Sequence, residues 1–340
     1  VSDSLRVALI GYGLAGRVFH GPLVRATPGL HIAAVVARDP ERRAAAARDF
    51  PDALLLEAVE HVWDRRHLFD LVVVATPPGS HAQLGGEAVE AGLASVVDKP
   101  LATSAGEARL LVERARRAGL LLVPFHNRRW DSDQLTLRRL LGEEDALGRV
   151  LRYESRFERW RPRPNPASWR EGLPATEGGG VLLDLGIHLV DQALSLFGPV
   201  SGVDGEVRAR RGGADDDVFL ALHHESGVDS HLWASAVCAA PGPRLRVLGS
   251  KAALVMPLLD GQEAALREGR QPNDLGFGVE PRGRWGRLVR GDRGKKVPSV
   301  PGRWLSFYEG IERSLRTGAP PPVAPDDAVA ALEVLDRARG

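Results

Sequence analysis

At 340 residues, with 44% apolar and 26% charged side chains, the chain has the composition of an ordinary globular protein of about two domains. A net charge of +1 gives bulk electrostatics no reason to draw it to nucleic acid or to an anionic membrane. One cysteine, Cys238, excludes an intramolecular disulfide and a multi-cysteine metal centre. The N-terminus carries no basic-then-apolar leader, and no apolar run approaches the ~20 residues of a membrane helix. The expectation is a cytoplasmic protein.

The first element is the strand Val7–Ile10, four apolar residues that suit a buried parallel strand. It runs into Gly11-Tyr12-Gly13-Leu14-Ala15-Gly16, a Gly-x-Gly-x-x-Gly turn. Glycines in this pattern permit a tight turn, close approach of backbone to a pyrophosphate, and close helix–strand packing. The following helix, residues 15–26, aims its N-terminal N–H groups at the phosphates. All six turn residues are therefore candidates for binding a dinucleotide. The alternative is a glycine turn that binds nothing. Pro22 predicts a kink in the helix.

The second strand is His31–Ala37, and Asp39-Pro40 caps a helix that runs to about residue 48. A Rossmann enzyme reads the adenosine ribose at this strand end, with an acid for NAD and an arginine for the 2′-phosphate of NADP. Position 37 is alanine, Asp39 serves as the cap, and Arg38 stands beside them. NADP(H) is thus the preferred cofactor, with NAD(H) left open. The plainer reading of Arg38 is a solvated surface arginine. A third strand, Phe69–Thr76, leads into Pro77-Pro78-Gly79-Ser80-His81. Ligands bind at such strand ends, so Thr76, Pro77 and His81 join the cofactor candidates, His81 also opening the next helix. Ser95–Asp98 is a further strand, followed by Lys99-Pro100. A helix at 104–118 and a strand at Leu120–Phe125 complete a first domain, residues 1–125, by βα alternation.

Residues 126–340 form the second domain. It begins with a polar, aromatic segment, His126–Asp133, and a helix to about 141. A strand at Val150–Phe157 and a Pro-, Arg- and Trp-rich loop at 159–177 follow. Gly178-Gly179-Gly180 then opens a helix at 181–197. Strands at 202–210, 217–224, 228–238, 244–249 and 252–256 lie close enough in sequence for antiparallel pairing, which suits an α+β domain with an open sheet. An uncovered sheet face predicts a homodimer or homotetramer. Helices at 303–317 and 326–339 finish the chain. The segment 282–296 reads as a loop with seven basic residues and one acid, Asp292. It is either a solvated loop or a contact for a phosphorylated ligand.

Two features point to chemistry. Only four of the 45 basic residues are lysines, Lys99, Lys251, Lys295 and Lys296. A lysine in such a chain suggests a task arginine cannot do, since a buried lysine can titrate. Asp184, His188 and Asp191 are spaced to share one helical face. A histidine one turn from a carboxylate is oriented and can shuttle protons near neutrality. A surface i,i+4 pair and a metal site are the alternatives, though no His-Glu-x-x-His occurs.

Together, Gly11–Gly16, Asp98-Lys99-Pro100 and Gly178-Gly179-Gly180 with Asp184 and His188 resemble the glucose–fructose oxidoreductase/inositol dehydrogenase (Gfo/Idh/MocA) family. His126–Asp133 and Trp304–Tyr308 resemble its branch of NADP-dependent scyllo-inositol dehydrogenases. The family's motif usually places glutamate before the lysine; here Asp98 stands there and the lysine is kept. The resemblance spans the whole chain. It implies an N-terminal Rossmann parallel sheet and a C-terminal domain whose open-faced, mainly antiparallel sheet is used for oligomerisation. It also implies a Lys–Asp–His group at the interdomain cleft. Lys99 would polarise the carbonyl or stabilise the alkoxide beside the nicotinamide ribose, and His188 would be the general acid/base. Asp184 would hold a substrate hydroxyl or orient His188, and Asn127, Arg128, Trp169 and Arg170 would wall the pocket. The implied reaction is NADP(H)-dependent hydride transfer at a CH–OH/C=O group of a cyclic polyol or sugar, without a metal. Alternatives are a ketoreductase of nucleotide-linked keto-sugars and a non-catalytic cofactor-binding regulator on the same fold.

Overall fold

Six runs of mostly apolar residues form the first sheet of the computed structural model, which describes residues 4–142, 146–165 and 167–340. They are β1 (Leu5–Ile10), β2 (Leu30–Val36), β3 (Leu54–Leu56), β4 (Leu71–Val74), β5 (Ala94–Asp98) and β6 (Leu122–Phe125). They pair in the order β3-β2-β1-β4-β5-β6, every pair parallel. A parallel sheet covered on both faces has no polar alternation, and Val7, Leu9, Leu71–Val74, Val96 and Val97 are all fully buried. The register sets Ile10 level with Val74, and Val74 level with Val97. The segments after β1, β4 and β5 therefore leave the sheet side by side.

Sequence pattern does not foretell β3. It is a three-residue edge strand whose Leu54 and Leu55 are exposed, so it shows neither a buried run nor alternation. The kink expected at Pro22 takes a different form. Residues Ala15–His20 make a π-helical turn and Gly21–Ala26 continue as α-helix. Proline has no N–H to give, and Gly21 N–H reaches back five residues to Gly16 O. The Asp39 cap is in place, its carboxylate accepting from Arg42 N–H at 2.8 Å.

The second sheet has eight strands. These are β7 (Val150–Glu158), β8 (Val200–Arg208), β9 (Asp217–His224), β10 (Asp229–Ser235), β11 (Leu245–Gly249), β12 (Ala253–Met256), β13 (Gly286–Arg290) and β14 (Arg293–Val297). Their order is β14-β13-β12-β11-β7-β10-β9-β8, antiparallel except for the parallel pair β7–β10. Helix Ile187–Phe197 packs on β7 and β10, burying Tyr153, Leu220, Leu222 and Leu232. Phe219, His231 and Trp233 lie on the other face, half-exposed and in mutual ring contact.

The basic segment 282–296 is not a loop. A 3₁₀ turn at Arg282–Arg284 leads into β13 and β14, a hairpin at the sheet edge that turns at Gly291-Asp292, with Gly291 at φ 58°. Its charges obscured the alternation, yet basic side chains are what protects an edge from pairing with another chain. Pro166, in the loop 159–177, lies outside the described residues.

The chain also does not divide at a single cut near residue 125. One unit comprises Val1–His126, Glu263–Phe277 and Trp304–Val329; the other comprises Asn127–Gln262, Gly278–Arg303 and Ala330–Gly340. The reason is the apolar stripe of helix Leu305–Thr317. Phe307, Tyr308 and Ile311 are fully buried, and Phe307 packs edge-on against Phe125 of β6 at 4.9 Å between centroids. That stripe completes the core of the first unit.

Candidate active site

The glycine turn is fixed by crowding of backbone on backbone. Gly11 has φ +97°, and a Cβ there would sit 2.6 Å from Ala75 O. A Cβ on Gly16 would sit 2.0 Å from Gly11 O. Gly13 differs: its nearest neighbour is Arg42 Nη1 at 3.6 Å. Two glycines thus close the turn, and the third leaves the backbone bare where a pyrophosphate approaches. This cradle fits a dinucleotide. The Tyr12 side chain is buried, and its hydroxyl donates to Asp49 at 2.6 Å. Leu14 is exposed at the turn, and Ala15 starts the helix.

Arg38 is exposed at the end of β2, as expected. Arg42, in the helix capped by Asp39, has its guanidinium beside Gly13. Thr76 is half-buried, its hydroxyl 2.7 Å from that of Ser80, and Pro77 is exposed. His81 corrects its expected role as a cofactor contact. It is fully buried, with Nδ1 2.7 Å from Pro100 O and Nε2 2.8 Å from Thr76 O. Both ring nitrogens are engaged by backbone carbonyls, so its side chain braces the site instead of lining it.

Lys99 follows β5 directly and is half-buried. Asp98 Oδ1 accepts the Lys99 N–H at 2.8 Å. Burial works to raise the Asp98 carboxyl, but His20 and Lys99 overcome it and hold it below its usual range. Lys99 belongs to the first unit, whereas Asp184 and His188 belong to the second.

In the second unit, the glycine triplet is explained by its neighbours. A Cβ on Gly179 would meet Leu173 O at 1.8 Å, and one on Gly180 would meet Asp215 Oδ2 at 2.0 Å. Asp215 Oδ1 in turn accepts Leu182 N–H at 2.7 Å, capping the helix from a distance in sequence. That helix opens with a π-helical turn, Leu182–Gly186, before Ile187–Phe197. Asp184 lies in the π turn and pairs with Arg170 at 3.2 Å. Arg170 also stacks on Trp169, its guanidinium carbon 4.2 Å from the ring centroid. Asp184, Arg170, Arg159, Arg161 and Arg211 line one recess.

His188 is buried, its ring 6.2 Å from that of Phe157. Asp191, expected on the same catalytic face, is instead 2% exposed and bound by Arg129 through contacts of 2.6 and 3.0 Å. The Arg129 pair gives Asp191 a structural task. Asn127 and Arg128 are buried, at 5% and 7% exposure. Arg128 stacks over Phe157 and pairs with Asp131 at 3.4 Å. Burial pushes the Asp131 carboxyl well above the usual range against the pull of Arg128, and Asp260 beside it is pushed up to about 6, chiefly by burial. Arg244 pairs with Asp133 at 3.0 Å in this network. Sequence gives no signal for it, because its members come from separate elements.

Known proteins share this architecture. Residues 5–126 match the oxidoreductase family's NAD-binding Rossmann fold, and residues 135–255 match the GFO/IDH/MocA C-terminal domain. The chain is 35% identical to the scyllo-inositol 2-dehydrogenase (NADP(+)) IolW of Bacillus subtilis, over 99% of this chain and 93% of that protein. It is 32% identical to the D-apiose dehydrogenase of Paraburkholderia graminis, over 66% of this chain and 58% of that one. The solved structure of the Bacillus subtilis oxidoreductase YvaA superposes with a TM-score of 0.90 at 33% identity, covering 99% of this chain and 97% of that one. With its Rossmann half and its C-terminal half both matched, the chain belongs to the Gfo/Idh/MocA family of NAD(P)-binding oxidoreductases.

Proposed function

We propose that the protein is an NADP(H)-dependent dehydrogenase or reductase that interconverts a CH–OH and a C=O group of a cyclic polyol, scyllo-inositol-like, or of a sugar. The observation that carries this reading is the level row Ile10, Val74 and Val97, from which the glycine turn, Thr76 and Lys99 leave the sheet side by side. The site that would hold the dinucleotide and the lysine that would polarise the substrate thus share one end of the sheet's strands. Two relatives, one acting on scyllo-inositol and one on D-apiose by their names, support the substrate class.

Gly11, Gly13 and Gly16 would hold the pyrophosphate, and Arg38 with Arg42 the 2′-phosphate. When bound, the cofactor supplies the hydride. Lys99 places a positive charge at the oxygen of the reacting carbonyl, where negative charge grows as the carbon is reduced. His188 gives that oxygen its proton, or removes it in the oxidative direction. Asp184 receives a substrate hydroxyl or orients His188, and Arg170 fixes the carboxylate.

The test is NADPH consumption with a panel of keto-inositols and keto-sugars, repeated for Lys99→Arg and His188→Asn. His188→Asn should lower kcat by about 10²–10⁴, the usual share of acid–base catalysis, and remove one limb of the pH profile. Lys99→Arg should fail comparably, because a planar guanidinium does not place its charge where an ammonium does. Cofactor affinity, read by fluorescence, should survive both. Near-normal turnover in either variant would remove that residue from the chemistry.

A further inference from the structure

Behind the Asp98-Lys99-Pro100 turn runs a line of buried polar side chains that the reaction as described does not use. All of it belongs to the first unit. Tyr308, from helix Leu305–Thr317, is fully buried, with its hydroxyl 2.6 Å from His20 Nδ1. His20 is equally buried and packs on Phe125, ring centroids 4.1 Å apart. Its Nε2 faces Asp98 Oδ2 at 3.9 Å. Asp98 Oδ1 holds the Lys99 N–H at 2.8 Å. On the far side of the lysine, His81 engages the carbonyl of Pro100 at 2.7 Å and that of Thr76 at 2.8 Å.

Such a line is expensive to build. Burying a phenol, two imidazoles and a carboxylate costs free energy unless each finds a partner, and apolar side chains fill neighbouring space without that cost. Phe307 and Ile311 do so on the same helix. Burial and the charge of Asp98 raise the Tyr308 phenol above its ordinary range, and its hydroxyl shares a 2.6 Å hydrogen bond with His20 Nδ1. With Nδ1 taken by Tyr308, Nε2 is the ring nitrogen that faces Asp98. The carboxylate lies between His20 Nε2, 3.9 Å away, and the backbone N–H of Lys99, which donates to it at 2.8 Å.

We propose that Tyr308, His20 and His81 are positioning residues for Lys99. Tyr308 and His20 fix the carboxylate that anchors the lysine's N–H, and His81 fixes the carbonyl of the residue after it. None of the three touches substrate. The inference rests on the reading of Lys99 as the substrate-facing cation, for which the placement of the ammonium matters, since about 1 Å of misplacement can cost about 100-fold in rate.

Two substitutions separate positioning from space-filling. A glutamine at position 20 carries its amide to where Nε2 stands, and an asparagine only to where Nδ1 stands. His20→Gln therefore keeps a donor toward Asp98, and His20→Asn keeps only the contact to Tyr308. Positioning predicts that Asn lowers kcat about 10- to 100-fold and that Gln stays within about 5-fold, with KM and NADPH affinity nearly constant in both. Tyr308→Phe keeps the ring and should lose about 3- to 10-fold in kcat, by freeing the His20 ring from its hydrogen bond.

A second readout does not need turnover. With only four lysines in the chain, competitive acylation followed by mass spectrometry reports Lys99 against the exposed Lys295 and Lys296. The rate ratio for Lys99 should change in His20→Asn and Tyr308→Phe and return toward wild type in His20→Gln. Equal losses for Asn and Gln, or an unchanged Lys99 ratio in His20→Asn and Tyr308→Phe, would overturn the inference. Failure of the wild type to reduce any keto-inositol or keto-sugar would sink the functional reading instead, and the acylation ratios would still decide the positioning.

Discussion

The glycine turn of the first unit and the arginine–aspartate network of the second achieve rigidity by opposite means. In the turn, side chains are removed until backbone meets backbone, as with Gly11 against Ala75 and Gly16 against Gly11. In the network, long charged side chains are buried and must satisfy one another. Arg128 with Asp131, Arg129 with Asp191 and Arg244 with Asp133 are all nearly removed from solvent. The turn is decided by contacts within a few residues and one neighbouring strand. Apart from the local pair Arg128–Asp131, the network exists only once elements distant in sequence have come together. Crowding selects one residue type and so can be read in a sequence; charge compensation selects a partner, and the partner has no fixed spacing.

The largest effect should come from breaking the network. Arg244 is 3% exposed and also donates to Gln192 Oε1 at 2.9 Å. Arg244→Met would leave Asp133 buried without its cation and should cost about 3–5 kcal/mol of stability, the usual penalty for orphaning one partner of a buried pair. Urea unfolding measures it. The double variant Arg244→Met with Asp133→Leu should recover most of the loss, because an apolar pair carries no desolvation cost. A double variant as unstable as the single would mean that packing over Phe157, and not charge, is what Arg244 provides.

A smaller effect should separate two glycines within the turn. Gly16→Ala puts a methyl 2.0 Å from a backbone oxygen, and such overpacking costs about 1–3 kcal/mol. Gly13→Ala meets nothing closer than 3.6 Å, so stability should move by less than about 0.5 kcal/mol, as for an ordinary surface change. Yet both should weaken NADPH, Gly13→Ala because its methyl would occupy the approach of the pyrophosphate. Thermal unfolding alongside cofactor titration distinguishes the two. A Gly13→Ala variant that binds NADPH normally would mean that this glycine does not face the ligand.

The same contrast explains what was legible beforehand. The buried runs of β1, β4 and β5, the Asp39 cap and the helix after the glycine triplet are local patterns, and each stands in the structure at or within a few residues of its expected place. What escaped depends on distant partners. The stripe of helix Leu305–Thr317 reads as amphipathic, but nothing in it says that Phe125 is its partner. His20 and Tyr308 look like ordinary polar residues in apolar company until the fold brings them to 2.6 Å. The start of the helix at Leu182 is capped by Asp215, a residue outside it, which accepts the Leu182 N–H. The hairpin β13–β14 was hidden because its side chains suit an edge and not a core.

The smallest expected effect concerns cofactor choice, where one arginine was legible and the other was not. Arg38 follows Ala37 at the strand end, the position from which a Rossmann enzyme reads the ribose. Arg42 lies one helical turn on, and its guanidinium is the group nearest to Gly13. Both are exposed, so each ion pair with a phosphate is partly screened by solvent and falls at the low end for charge-assisted contacts, about 10-fold in affinity. Arg42→Ala should weaken NADPH by about that factor and leave NADH unchanged, and Arg38→Ala should do the same if the two share the 2′-phosphate. The ratio of NADPH to NADH dissociation constants, measured by fluorescence at one ionic strength, isolates the phosphate contact from everything the cofactors have in common. If only Arg42→Ala moves the ratio, the group that reads the phosphate comes from the helix and not from the strand end. If both variants lose NADH as heavily as NADPH, these arginines shape the turn and do not choose the cofactor. Should the wild type itself bind NADH more tightly, the preference for NADP(H) falls with it.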